Sequence, residues 1–207
     1  MLEALLFPAI RWGSAVPLVL IALTIMGSPG PATISLMAAG SVYGARRSLP
    51  YLAGIIVGTT IVLIAVATGI TAALLAVPAI GSVLIGIAAA YILWLAYRIA
   101  TAPPLSKRNG GRNAFSLMGG ALLGIANPKA WVGIAAVLAS AHLADSSTTD
   151  AAAKIALLTV MIIVVCTTWL LAGTSIAPAL RDRRRARLIN AALAVALVAA
   201  TALAVRH

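Results

Sequence analysis

Met26-Gly27-Ser28-Pro29-Gly30-Pro31-Ala32-Thr33 places two prolines and two glycines in the middle of an uncharged run that reaches from Trp12 to Ala45, where a continuous membrane helix would be expected. In water such a stretch is a turn. In a lipid bilayer it is a costly interruption, because Pro29 and Pro31 carry no N–H and the carbonyls they release find no water. The run from about 14 to 41 is longer than the ~20 residues a straight span needs, so it reads as one helix broken between Ser28 and Pro31. A second break, Ala126-Asn127-Pro128-Lys129-Ala130, lies at a corresponding place inside a later apolar run. Paired breaks in matching halves are the best sequence pointer to a transporter's central site.

Composition agrees with that class. Hydrophobic residues make up 62% of the chain and charged residues 9%, with a mean hydropathy of +1.09. These values describe an all-α polytopic membrane protein rather than a soluble domain. The net charge of +11 sits in short basic segments between apolar runs. Its expected partner is therefore the anionic lipid headgroup and not nucleic acid. Cys166 is the single cysteine, which excludes an intrachain disulfide and a CxxC redox relay. Glu3 near the start, with no small-residue cleavage pattern after it, predicts that the first apolar segment is retained.

The apolar runs predict spans at about 14–41, 50–74, 79–99, 115–141, 153–175 and 188–205. Residues 1–11 read as a short interfacial helix or a tail, and Tyr43-Gly44-Ala45-Arg46-Arg47 as a basic loop. Val77-Pro78-Ala79-Ile80-Gly81 divides the second span from the third, which ends in an aromatic belt of Tyr91, Trp94 and Tyr97. The whole of 1–207 is one transmembrane domain: a first three-helix repeat over 1–100, a cytoplasmic linker at 101–113 and a second repeat over 114–207. Three is odd, so the second repeat starts from the opposite face and the repeats are of the inverted kind. Arg46, Arg47, Arg98, Lys107, Arg108, Arg112, Arg181, Arg183, Arg184, Arg185 and Arg187 fall on one side; Arg11, Lys154 and Arg206 fall on the other. The positive-inside rule makes the first side cytoplasmic and places both termini outside an inner (plasma) membrane.

A helix that stops and restarts within a membrane presents both polarities. The half that restarts at Pro31 offers the amides of Ala32 and Thr33 and the positive end of its dipole, which suit a carboxylate. The half that ends near Gly27 offers carbonyls, which suit an ammonium group. The alternative is a plain kink repaired by Ser28 or Thr33. Lys129 lies deep in its span, where a charge costs at least about 2.5 kcal/mol and faces a bundle interior or a cavity. Every acid, Glu3, Asp145, Asp150 and Asp182, falls in a terminus or a loop on this reading. Lys129 is then either neutral through desolvation or charged beside carbonyls, water and a visiting anion; the competing role is snorkelling. Asn127 can satisfy the break or touch substrate, Pro128 starts the next half-helix, and Trp131 can stack on a ligand or pack. Gly54-xxx-Gly58 and Gly120-xxx-Gly124 permit close helix contact and are common in membrane helices.

Pro29-Gly30-Pro31 with Thr33, the Gly44-Ala45-Arg46-Arg47 turn, Ala90-Tyr91-Ile92-Leu93-Trp94-Leu95-Ala96-Tyr97-Arg98, Gly124-Ile125-Ala126-Asn127-Pro128-Lys129-Ala130 and Arg187-Leu188-Ile189-Asn190 occur in order. Taken together they resemble the lysine exporter (LysE/RhtB) superfamily of amino-acid exporters, over nearly the whole chain from about Pro17 to Val205. The resemblance implies a six-helix inner-membrane exporter driven by the proton-motive force. It makes Pro29, Gly30, Pro31, Asn127, Pro128 and Lys129 central-site candidates, beside Ser28, Ala32, Thr33 and Trp131. Ala32 stands where relatives usually have asparagine, and the second span near Val62 lacks a polar residue that many relatives carry.

The expected activity is therefore alternating-access export of a small zwitterionic or anionic metabolite, a neutral or apolar amino acid in the first instance, with no cofactor, no metal and no catalysis. Lys129 is the proton-coupling candidate, and an uncoupled facilitator is the alternative. A metal or thiol transporter would need intramembrane acids, histidines or paired cysteines, and an enzyme would need HExxH, GxSxG or an acid pair. A scaffold would leave the space between the breaks dry and filled. Small-residue helix faces, with the family resemblance, admit a homodimer.

Overall fold

The computed structural model describes residues 11–69, 78–101, 115–178 and 182–205. The expected amino-terminal interfacial helix and nearly all of the 101–113 linker lie outside the described residues, as does the segment 70–77 that precedes the third span. Seven helices account for the rest: α1 Trp12–Gly27, α2 Pro31–Ala67, α3 Pro78–Ala100, α4 Leu117–Ala126, α5 Pro128–Ser140, α6 Ser147–Ile176 and α7 Arg183–Val205. No strand occurs among the described residues. That is the expected solution for a chain that must pair its own backbone groups in lipid. Helices α2, α6 and residues 184–202 of α7 are long and apolar enough to cross a membrane, and α4 with α5 passes as one span bent by 57°.

Both predicted breaks are present. The first helix ends at Gly27 and restarts at Pro31, with Ser28 and Gly30 in extended conformations. The second ends at Ala126, and Asn127 serves as the extended hinge before Pro128. The basic segment Tyr43–Arg47, expected to be a loop, is instead helical on either side of one reversal at Gly44, whose φ of 76° only glycine adopts readily. Ser48 Oγ ties the corner by donating to Ala39 O at 3.1 Å and Gly44 O at 2.9 Å. One left-handed residue thus replaces a loop and joins the second half of the first span directly to the second span.

A further correction concerns α6, which begins at Ser147, well before the expected 153. Asp150, expected in a loop, lies in the first turn of this helix and is buried. Lys154, one turn on, is 3% exposed and pairs with Asp150 Oδ2 at 2.7 Å. The polar run Asp145–Asp150 looks like solvent-exposed chain, but an acid and a base four residues apart neutralise each other and let the helix start early.

Glycine seams hold the bundle together. A Cβ on Gly54 would sit 2.0 Å from Leu117 O, one on Gly58 2.3 Å from Ala121 O, and one on Gly120 2.3 Å from Tyr51 O. The two GxxxG segments therefore pack on each other, backbone against backbone, as small residues permit in lipid. Residue numbers on α2 and α4 rise together along this seam, so the two helices run parallel, with α3 between them in sequence to carry the chain back. A second seam joins the first half of α2 to α6: a Cβ on Gly40 would meet Leu170 O at 2.2 Å, and one on Gly173 would meet Met37 O at 2.1 Å. Leu36, Ile55, Leu123, Leu158 and Leu170 fill the core behind these seams. Val57, Ile61, Val160, Val164 and Leu171 face outward, forming the apolar surface a bilayer requires.

Candidate functional site

The two breaks meet. Lys129, in the first turn of α5, sends its Nζ across to donate to Ser28 O, with Pro29 O at 3.4 Å. Its stem lies against Gly30, where a Cβ would come within 2.7 Å of Lys129 Cδ. A cavity of about 50 Å³ lies beside this bridge. Gly30, Ala32, Thr33, Asn127 and Lys129 line it from the breaks, and Ile25, Met26, Ile134, Ile162, Val165 and Cys166 supply most of its apolar wall. The space between the breaks is therefore neither filled nor wholly apolar.

Several of the freed backbone groups have identifiable partners. Ser28 Oγ turns back to Ile25 O at 2.9 Å. Trp169 Nε1, reaching from α6, donates to Gly27 O at 3.1 Å. Lys129 takes Ser28 O, so three side-chain donors quench carbonyls at the end of α1, those of Ile25, Gly27 and Ser28. On the restarting side, Gly30 N donates to Thr33 Oγ1 at 2.8 Å, and Thr33 Oγ1 donates to Gly30 O at 3.1 Å. Pro31 has no N–H, and a helix start leaves the Ala32 and Thr33 amides without intrahelical partners. At the second break Trp131 Nε1 donates to Ile125 O at 2.6 Å. Ser28, Thr33 and Trp131 thus repair the backbone, while Lys129 links one break to the other.

Asn127 is 6% exposed, and its Oδ1 has no hydrogen-bond partner among the described residues. A buried amide oxygen left bare beside a cavity is costly and is ready to accept from a ligand. Lys129 makes no ion pair among the described residues; the pairs there are Arg11–Asp145, His142–Asp150 and Lys154–Asp150. The buried Asp150, which the sequence reading did not place in a helix, thus serves Lys154 and not Lys129.

Ser28, Pro29, Pro31, Pro128 and Trp131 shape the breaks without lining the cavity, whereas Gly30, Ala32, Thr33, Asn127 and Lys129 do both. Val62 is fully buried and does not line it. Thr59, one helical turn earlier, supplies a polar group from the second span after all. The sequence reading also missed Ile162, Val165 and Cys166, which with Trp169 follow the i, i+3, i+4, i+7 pattern of one helix face. That pattern was visible, but in a span apolar on every side nothing marked this face as the inward one.

A wider cleft of about 510 Å³ opens at the other end of α5, between the end of α2 and the start of α6, lined in part by His142, Asp145, Asp150 and Lys154. Arg11 N donates to Leu143 O at 2.8 Å, and the Arg11 guanidinium pairs with Asp145, closing α1 onto the same corner.

The family model of the LysE type translocator matches residues 23–206. A cysteine/O-acetylserine efflux protein of Salmonella paratyphi A is 40% identical over 82 residues, 39% of this chain and 42% of that protein. One of Salmonella choleraesuis is 43% identical over 77 residues, 37% of this chain and 39% of that protein. The similarity thus spans about two fifths of the length of these curated relatives. No solved structure matches. Since the family model covers most of the chain and runs through both breaks and all three glycine-seamed helices, α2, α4 and α6, the chain belongs to the LysE type translocator family.

Proposed function

We propose that this protein exports small neutral amino acids, or related zwitterionic or anionic metabolites, across the inner membrane by alternating access, driven by the proton-motive force. The observation that carries the reading is the contact of Lys129 with Ser28 O beside the cavity between the two breaks. A basic side chain, helix-start amides and helix-end carbonyls there suit a carboxylate and an ammonium at once. The apolar wall of Ile25, Met26, Ile134, Ile162, Val165 and Cys166 suits a small, uncharged side chain. The similar efflux proteins are named for cysteine and O-acetylserine, two solutes of that kind. A charged Lys129 repels a second cation, so lysine and arginine are poor substrates on this reading.

The two halves act as inverted repeats rocking about the breaks, with both termini outside the cytoplasm. Lys129 is the proton-coupling group, cycling between a protonated state bound to carbonyls and a state that has released its proton. Counterflow in proteoliposomes tests the reading directly: cysteine, O-acetylserine, alanine and leucine should exchange, and lysine should not. Preference for lysine would overturn it. Efflux from cells loaded with dipeptides should fall when a protonophore is added, and an unchanged rate would leave an uncoupled facilitator.

A further inference from the structure

We infer that Lys129 is a tethered stand-in for the substrate's own ammonium group, and that the carboxylate of an entering α-amino acid draws it away, so that the site admits zwitterions and rejects simple amines. The inference rests on the export reading above and concerns how that same site selects.

Three acceptors close the end of α1, and all are taken. Gly27 O is held by Trp169 Nε1, and Ser28 O by Lys129 Nζ, which also lies 3.4 Å from Pro29 O. These carbonyls form the negative end of a helix dipole, where a substrate ammonium would dock. The protein has filled that place with an ammonium of its own. Lys129 also lines the cavity beside the bridge, so its stem takes part of the space next to these carbonyls. A substrate ammonium can reach Ser28 O and Pro29 O only if Lys129 moves.

What can move it follows from charge. Among the described residues no carboxylate pairs with Lys129, so carbonyl dipoles alone hold its head. A carboxylate arriving on a ligand offers a full counter-charge and a hydrogen bond roughly twice as strong as a neutral one. A lone amine offers the opposite: it meets occupied carbonyls and a like charge, and seating it would strand the Lys129 ammonium without a partner. A lone carboxylic acid can draw Lys129 off but leaves Ser28 O bare. Only a zwitterion settles both sides. Its carboxylate takes Lys129 Nζ, while its ammonium inherits Ser28 O and Pro29 O, with the unpartnered Asn127 Oδ1 lining the same cavity as a third acceptor. The Gly30 surface under the lysine stem lets the side chain slide, since no Cβ stands in its way.

The test is competition against counterflow of labelled cysteine, alanine and leucine in proteoliposomes. Each amino acid is matched by its amine (cysteamine, ethylamine, isoamylamine) and by its acid (3-mercaptopropionate, propionate, 4-methylpentanoate). In the wild type, each amine and each acid should compete at least tenfold more weakly than the parent amino acid. In Lys129→Met the carbonyls are vacated, so the amines should compete at concentrations at least tenfold lower than in the wild type, while the amino acids weaken. Amines that match their amino acids in the wild type would overturn the inference and leave export standing. So would a folded Lys129→Met protein, monodisperse on size exclusion, whose response to amines is unchanged. Should that variant not fold, the wild-type panel decides alone. Failure of all three amino acids to exchange would sink the export reading and this inference with it.

Discussion

Asp150 and Lys154 form a buried ion pair at 2.7 Å, one turn apart at the start of α6, in a chain whose sequence places every acid outside the expected spans. The pair is fully dressed: Asp150 Oδ1 accepts from Leu143 N at 2.5 Å and Ala144 N at 3.3 Å, and Lys154 Nζ donates to Leu138 O at 2.9 Å. It binds the end of α5, the turn after it and the start of α6 into one corner. Asp150→Asn strands the Lys154 charge and should destabilise by about 3–5 kcal/mol, whereas Asp150→Asn with Lys154→Met should recover most of that loss. Thermal unfolding of the purified protein in detergent checks both, and a single variant as stable as the wild type would refute the pair's role.

The seam between Gly54-xxx-Gly58 and Gly120-xxx-Gly124 has no room for a methyl group. Gly54→Ala would bring a Cβ within 2.0 Å of Leu117 O, a backbone atom that cannot step aside, so α2 and α4 must part at a cost of about 1–3 kcal/mol. Gly86 on α3 has nothing among the described residues within 4 Å of a Cβ, and Gly86→Ala should instead stabilise by about 0.5–1 kcal/mol. Melting temperatures of the two variants should move in opposite directions.

Trp169 quenches Gly27 O from a different helix. Trp169→Phe keeps the ring packing and removes the donor, so a partly buried carbonyl beside the site loses its partner at a cost of about 1 kcal/mol. For a chain of this size the apparent melting temperature should fall by roughly 2–4 °C for each kcal/mol lost.

Cys166 is the chain's single cysteine and lines the central cavity. A small membrane-permeant thiol reagent should modify it slowly, and a transported amino acid should slow modification several-fold. Cys166→Ser, which removes the thiol, should show no labelling by mass spectrometry. Labelling that transported solutes leave untouched would separate this wall from the transport path.

The sequence by itself determined the class, the positions of both breaks and the residues that carry chemistry at them, because proline, glycine and a deep lysine are costly in an apolar helix and their cost can be read locally. It also exposed the two GxxxG segments, though not that they grip each other. Only the tertiary structure decided the partnerships. Lys129 and Ser28 are a hundred and one residues apart, and the bond between them exists because α5 is packed against the end of α1. Asp150 became helical and buried because Lys154 and the amides of Leu143 and Ala144 compensate its charge, a balance no composition window contains. The wall of Ile162, Val165 and Cys166 was hidden for the opposite reason: in a span apolar all round, only packing chooses which face turns inward.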